Sequence, residues 1–331
     1  MKSIWQDLPK PLFILAPMEA VTDTVFRRVV SRAAKPDLYF SEFTNATGWV
    51  HAGEKAVAGR LDIVDSKDEQ PVIAQIWGGN ANDISKLAHH CKTLGYKGVD
   101  INMGCPASSA LKGGGGSDLI RNPELAKDII SSAKTAGLPV SVKTRLGYSK
   151  LSEWKAWLGF LLEQDIEALT IHLRTKKEMS KVPAHWELMP DIKKLRDGVA
   201  PNTLIIGNGD VESRIHGENL IQNSKIDGVM IGRGVFTNIF CFEKEAKTHS
   251  KYELLGLLLH HLDIFEEHHH LNLEERTEQR QYKKPYETLK RFFKIYVRDF
   301  AGSSELRAKL METTDISQAK LIVQTLLEES A

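Results

Sequence analysis

The chain reads as a (β/α)8 TIM barrel followed by a small all-α C-terminal domain. Eight short β-rich segments alternate regularly with longer amphipathic ones, and several are continuously apolar, as parallel strands covered on both faces are. Beyond Cys241 the β signal stops, and apolar positions recur with helical period to the end of the chain. The division that follows is a barrel over 1–243 and a helical domain over 244–331.

In order, the strands are expected at 12–16, 37–43, 71–77, 98–102, 139–144, 168–173, 203–207 and 228–231. Helices are expected between them at 81–94, 123–136, 153–163 and 211–222. Asn122 before Pro123 supplies a cap followed by proline at the first helical position, and Gly95 and Gly137 stand where C-terminal glycines belong. An open doubly wound sheet is the competing architecture, but no GxGxxG fingerprint follows the first strand. In the tail, helices are expected at 252–267, 285–298 and 317–327. The run His268-His269-His270 reads as a solvated turn, because three consecutive histidines do not share one helix face.

Composition narrows the class. With 42% hydrophobic and 26% charged residues, and no apolar run near the ~20 needed to span a bilayer, a membrane location is not expected. The first ten residues carry Lys2, Asp7 and Lys10 and no apolar core of a secretory signal, so a cytoplasmic location is expected. Cys91, Cys105 and Cys241 are odd in number and far apart, which fits neither a disulfide framework nor a metal site. A net charge of +1 does not announce a nucleic-acid binder, although a local patch can hide in a neutral total.

In such a barrel the C-terminal ends of the strands form the active-site floor, and here nearly every strand ends in a polar residue. The rim reads Pro17 and Met18, Glu42, Gln75, Asn102 and Cys105, Lys143 and Arg145, His172 and Arg174, Asn208 and Asp210, then Gly232 and Arg233. An amide, a lysine, a histidine and two glycine-flanked polar turns suit a planar heterocycle bearing a phosphate, and flavin mononucleotide (FMN) fits that description. Lys143 would face the pyrimidine side of the ring, with His172 and Gln75 assisting. Cys105 alone is as compatible with a small buried hydrophobe as with chemistry. On this rim it reads as a general acid, since a thiol with a pKa of about 8.5 is mostly protonated at neutral pH and no neighbouring histidine marks it as a nucleophile.

Taken together these residues resemble the tRNA-dihydrouridine synthases. The matching motifs are Leu15-Ala16-Pro17-Met18, Ser41-Glu42-Phe43, Ala74-Gln75-Ile76, Asn102-Met103-Gly104-Cys105-Pro106 with its glycine-rich continuation, and Val142-Lys143-Thr144-Arg145-Leu146-Gly147. Ile171-His172-Leu173-Arg174-Thr175, Asn208-Gly209-Asp210 and Ile231-Gly232-Arg233-Gly234 complete the set in order. The resemblance implies FMN contacts from Ala16, Pro17, Met18, Gln75, Lys143, His172, Asn208, Gly209, Asp210, Gly232 and Arg233. It implies reduction of the C5–C6 double bond of uridine in tRNA, with hydride from reduced FMN to C6, a proton from Cys105 to C5, and NADPH or a related NAD(P)H regenerating the flavin. Asn102 would hold the base and Arg174 would contact substrate, while Gly113 to Gly116 would let the loop close over an everted uridine. One departure is Ala107-Ser108-Ser109, where many relatives have a lysine soon after the proline.

An everted base costs a few kcal/mol that contacts elsewhere must offset. The tail offers them: Arg280, Lys283, Lys284, Lys290, Arg291, Lys294 and Arg298 stand against Glu287 alone, interleaved with Tyr282, Tyr286, Phe292 and Tyr296. The helical tail is therefore expected to bind tRNA, and the enzyme to be a monomer without metal. Dihydroorotate dehydrogenase is the other flavin-barrel reading, and a non-catalytic RNA-binding barrel is the reading from a different class.

Overall fold

A computed structural model describes residues 3–63, 68–271 and 283–329. Its strands are β1 (Leu12–Leu15), β2 (Tyr39–Phe40), β3 (Thr44–Asn45), β4 (Val72–Trp77), β5 (Val99–Asn102), β6 (Val140–Arg145), β7 (Ala168–His172), β8 (Leu204–Asn208) and β9 (Gly228–Ile231). All ladders are parallel, in the order β1-β9-β8-β7-β6-β5-β4-β2. The ring closes through an Ile14–Leu38 bridge, with Asp37 N donating to Phe13 O at 2.9 Å and Leu15 N to Leu38 O at 3.1 Å. The eight-stave barrel read from the sequence is the observed fold.

The second stave differs in being broken. β2 and β3 both pair with β4, and Ser41-Glu42-Phe43 leaves the ladder between them. Ser41 Oγ accepts from Gln75 N at 3.0 Å, replacing a ladder bond at that point.

Register decides which polar groups meet inside. Gln75 pairs with Asp100 and Asp100 with Ser141, so one layer of the interior is polar; one residue nearer the rim, Ile76, Ile101 and Val142 face outward. Below that layer Leu12, Ile14, Leu38, Phe40, Ile73, Ala168, Ile206 and Met230 pack with Trp5 into an apolar plug. Chemistry is thereby confined to the C-terminal mouth.

The barrel helices expected from the sequence form at Ala81–Thr93, Pro123–Lys134 and Trp154–Leu162. The one expected from residue 211 begins later, at Arg214, where Ser213 Oγ accepts from His216 N at 3.2 Å and caps it. In the tail, Lys251–Glu266 and Ile316–Glu328 are helices, and Ser303–Glu312 is one the sequence reading missed. Residues 285–298 make two short pieces, Glu287–Lys290 and Phe293–Tyr296, rather than one helix. Phe292 and Phe293 are both buried, although a regular helix would point neighbours about 100° apart.

The tail is bound to the barrel. Phe292 stacks on Phe26 with ring centroids 5.1 Å apart, and His261 lies 6.1 Å from the same ring. The expectation of a solvated histidine turn is corrected: the segment Glu267–Leu271 continues the preceding helix with a wider turn, His269 is buried beside Phe265, and His268 lies 3.4 Å from Asp62. Among the described residues no group of three or more His, Cys, Asp or Glu side chains is placed to hold a metal, and no helix is long and apolar enough to cross a membrane.

Candidate active site

A cleft of about 520 Å³ opens at the C-terminal mouth of the barrel. Ten of the residues assigned to the cofactor line it: Ala16, Pro17, Met18, Lys143, His172, Asn208, Gly209, Asp210, Gly232 and Arg233. Ser180, Glu212 and Thr237 also line it, and carried no signal in the sequence reading because they lie beyond the strand ends. At one end of the cleft, the amides of Gly209, Asp210, Arg233 and Gly234 donate to no backbone or side-chain acceptor among the described residues. Four unspent N–H groups beside the Arg233 guanidinium form an anion cradle. A Cβ on Gly232 would meet protein only at 3.6 Å (Ala16 Cβ) and 3.9 Å (Met18 Sδ), so the cleft itself is what a side chain there would fill.

Cys105 stands on the loop after β5, partly exposed. Asn102 Oδ1 accepts from Cys105 N at 2.9 Å and from Gly104 N at 3.1 Å, which folds the loop back over the strand end. Asn102 Nδ2 donates to Gln75 Oε1 at 3.0 Å, and Gln75 Nε2 donates to Asp100 Oδ2 at 2.7 Å. Gln75 and Asn102, expected to touch ring and base, are buried below the Cys105 loop, where their amides complete the polar layer that register creates. The glycine run is also corrected. A Cβ on Gly116 would lie 2.6 Å from Cys105 O, one on Gly115 3.0 Å from Gly78 C, and one on Gly79 2.3 Å from Gly113 O. These glycines pack backbone against backbone rather than leaving a bare flap.

Electrostatics differ sharply within this small region. Burial pushes the Cys105 thiol upward, so it stays protonated at neutral pH. Burial and then the Arg145 charge bring Lys143 down to about 8, and burial raises Asp100 to about 6. Arg145 itself, a residue that the sequence reading placed on the rim without a role, donates to Gly104 O at 2.8 Å and to Met179 O at 2.9 Å. It ties the thiol's loop to the loop after β7.

His172 is lowered to about 2, by burial first and then by the surrounding Arg145, Lys143 and Arg174 charges. Geometry gives the same answer independently. Arg174 Nη1 lies 3.1 Å from His172 Nε2, and a guanidinium can only donate. The ring is therefore neutral, with its proton on Nδ1. Arg174 also donates to Val182 O at 2.6 Å and to Asp210, whose other oxygen receives Arg233 at 3.3 Å. Arg174, expected to touch substrate, is 2% exposed, and three of its five donors go to Val182 O, His172 Nε2 and Asp210, so it orients His172 and Asp210.

A family model described as "Dihydrouridine synthase (Dus)" matches residues 14–331. The chain belongs to the dihydrouridine synthase family. It is 50% identical over 323 residues to the "Probable tRNA-dihydrouridine synthase 2" of Bacillus subtilis (strain 168), with 97% of this chain and 96% of that one covered. Against the "Probable tRNA-dihydrouridine synthase" of Staphylococcus aureus (strain COL), identity is 52% over 323 residues, covering 97% and 95%. Among solved structures, morphinone reductase superposes with a TM-score of 0.52 at 14% identity, covering 72% of this chain and 86% of that one. That likeness establishes the barrel fold alone.

In this synthase the tail residues assigned to RNA divide into two groups. Lys283, Arg291 and Lys294 are exposed, and Lys290 is half-buried, its Nζ donating to Met311 O at 3.0 Å. Lys284 is turned to the barrel: it is half-buried, bonded to Asp23 and 3.7 Å from Glu42, since two inward carboxylates need a cation. Arg298 donates to Thr237 O at 2.9 Å and pairs with Asp299, so it caps the short helix Gly234–Thr237 at the cleft's edge. Tyr286, Phe292 and Tyr296, expected as stacking platforms, are buried in the tail's core. Arg280 and Tyr282 lie outside the described residues.

Proposed function

We propose that this chain reduces specific uridines of tRNA to 5,6-dihydrouridine, using FMN that is re-reduced by NADPH. The observation that carries the reading is a protonated thiol held beside a cleft lined by two sets of donors. One set is four unspent amides with Arg233, suited to a phosphate; the other is Lys143 with neutral His172, suited to the polar edge of a planar ring. The donor set and the open space at Gly232 fit FMN, held by Ala16, Pro17, Met18, Lys143, His172, Asn208, Gly209, Asp210, Gly232 and Arg233. When bound and reduced, that group supplies the electron pair for the C5–C6 double bond.

The chain's own residues manage the proton and the geometry. Cys105 Sγ keeps its proton at neutral pH and delivers it to C5 of the base. Asn102 and Arg145 hold the Cys105 loop from below and from the side. Lys143 places a positive charge against the pyrimidine side of the ring, where reduction accumulates negative charge. Residues 244–331 serve as the tRNA-binding domain through Lys283, Lys290, Arg291 and Lys294. The enzyme acts as a monomer in the cytoplasm, where its substrate is.

Nucleoside mass spectrometry tests this directly. Purified enzyme with FMN and NADPH should form dihydrouridine in tRNA from a strain that lacks it, and Cys105→Ala should lower the rate by about 10²-fold or more. Full activity of Cys105→Ala would remove the thiol from the mechanism.

A further inference from the structure

After β7 the chain makes a tight turn over residues 175–181 on the rim of the cleft. Ser180 lines the cleft, and the Arg145 guanidinium is shared between Met179 O and Gly104 O, so the turn stands against the Cys105 loop. Its backbone is laced to the exit of β6: Lys176 N donates to Gly147 O at 2.8 Å and Lys177 N to Tyr148 O at 2.9 Å. The turn is thus fixed in place beside the thiol.

What the turn presents outward is unusual. Met179 is 40% exposed and sits at φ +59°, a left-handed backbone that costs a long side chain on the order of 1 kcal/mol. The turn's one acid points inward, Glu178 accepting from Thr175 N at 2.7 Å and meeting His185 Nε2 at 3.1 Å. Lys177 and Lys181 are exposed, and among the described residues neither has a carboxylate within 4 Å. The outward face is therefore an apolar tip between uncompensated cations.

Everting a base leaves a gap in the stack, and an apolar side chain flanked by phosphate-seeking cations is the chemistry that fills such a gap. We propose that the turn over residues 175–181 enters the substrate RNA, with Met179 occupying the stacking position vacated by the everted uridine and Lys177 and Lys181 meeting the flanking phosphates. The inference rests on the function proposed above. It assigns the RNA contact nearest the chemistry to the barrel, and leaves the tail to bind at a distance.

The test uses full-length enzyme with FMN and total tRNA from a strain lacking dihydrouridine. Met179→Ala and the isosteric polar Met179→Gln should each lower kcat/KM by about tenfold, while Met179→Leu stays within twofold of wild type. K177E/K181E should raise the Kd for tRNA by tenfold or more and flatten the slope of log K against log salt by about 1.5. Met179→Ala or Met179→Gln within twofold of wild type overturns the wedge, and an unchanged Kd and salt slope in the charge-reversal variant overturn the RNA contact. If wild-type enzyme forms no dihydrouridine yet K177E/K181E still loses tRNA affinity, the functional reading fails and the contact surface stands.

Discussion

Replacing Lys284 with methionine distinguishes the structure from the surface the sequence suggested. The ammonium group is bonded to Asp23 and lies 3.7 Å from Glu42, with Lys284 and Asp23 each 13% exposed and Glu42 2% exposed. Burial works against the charge on Asp23, yet Lys284 and the Phe26 N–H hold its pKa well below the usual carboxylate range. Removing the cation paired with these carboxylates costs at most about 3–5 kcal/mol. Glu42 is already raised by burial and will take up a proton, which places the loss near the lower end, about 3 kcal/mol. At about 2.1 cal/mol/K per residue, a chain of 331 residues then loses about 4 °C in Tm. Asp23→Asn keeps the helix cap and leaves Lys284 its second partner, so it should cost less. The double variant Asp23→Asn with Lys284→Met should fall short of the sum by about 1–2 kcal/mol. Calorimetry and urea titration of the four proteins give these values. A Lys284→Met enzyme of unchanged stability that binds tRNA tenfold more weakly would refute the argument and return Lys284 to the RNA-facing surface.

Two further outcomes concern Gly232 and two buried histidines. Gly232→Ala has room against the protein, so the Tm without cofactor should move by less than 1 °C, while the added methyl enters the cleft and the Kd for FMN rises at least tenfold; flavin fluorescence titration reads both proteins. Stability without cofactor should fall below about pH 6, because the unfolded chain protonates His172 and His261 near 6.5 whereas burial first, then neighbouring cations, hold them to about 2 and about 4 in the fold. The stability these groups contribute is present above 6.5 and is lost as pH falls, by about 1 kcal/mol per unit for each until its folded pKa is reached. Urea midpoints between pH 4 and 8 check the slope, and a flat profile would show the rings to be solvated.

What the sequence made legible is what depends on local pattern. A strand's apolar run and its first polar residue are neighbours in the chain, so the ring of strand ends at Met18, Lys143, His172, Asn208 and Gly232 could be assigned before any coordinates. Which of those residues reach the cleft depends on register. Gln75, Asp100 and Ser141 are aligned by three separate strands, and nothing in any one segment says that Gln75 will be spent on Asp100. Long-range partners were equally hidden. Lys284 finds Asp23 across 261 residues, and Tyr296 turns inward to His261 Nδ1 at 2.8 Å, so a basic, aromatic stretch that resembled an RNA platform proved to be partly an anchor. The exposed cations of that stretch are those with no buried acid waiting on the barrel.

Charge ties the two ends of the cleft together. Asp210 receives Arg174 on one oxygen and Arg233 on the other, and Arg174 in turn fixes His172 Nε2. In the proposed binding mode Arg233 would meet the phosphate and His172 the ring, so one carboxylate would set the distance between the groups that hold a single ligand. Around His172 stand Lys143, Arg145, Arg174 and Arg233. Asp210 is held charged by Ala184 N, Arg174 and Arg233 against its own burial. Asp100, raised by burial to about 6, stands beneath Lys143 and still favours the lysine's charge. The sum is positive along the cleft, as the proposed FMN would require, its phosphate always anionic and its ring gaining negative charge on reduction. A neutral His172 follows from the same sum, because a further proton would have to enter a site already crowded with guanidinium and ammonium groups. The thiol of Cys105 sits just outside this cluster, where burial outweighs the two nearby cations and keeps the proton on sulfur. In the proposed reaction the barrel separates its two tasks, with positive charge at the cleft and a proton held on the loop after β5.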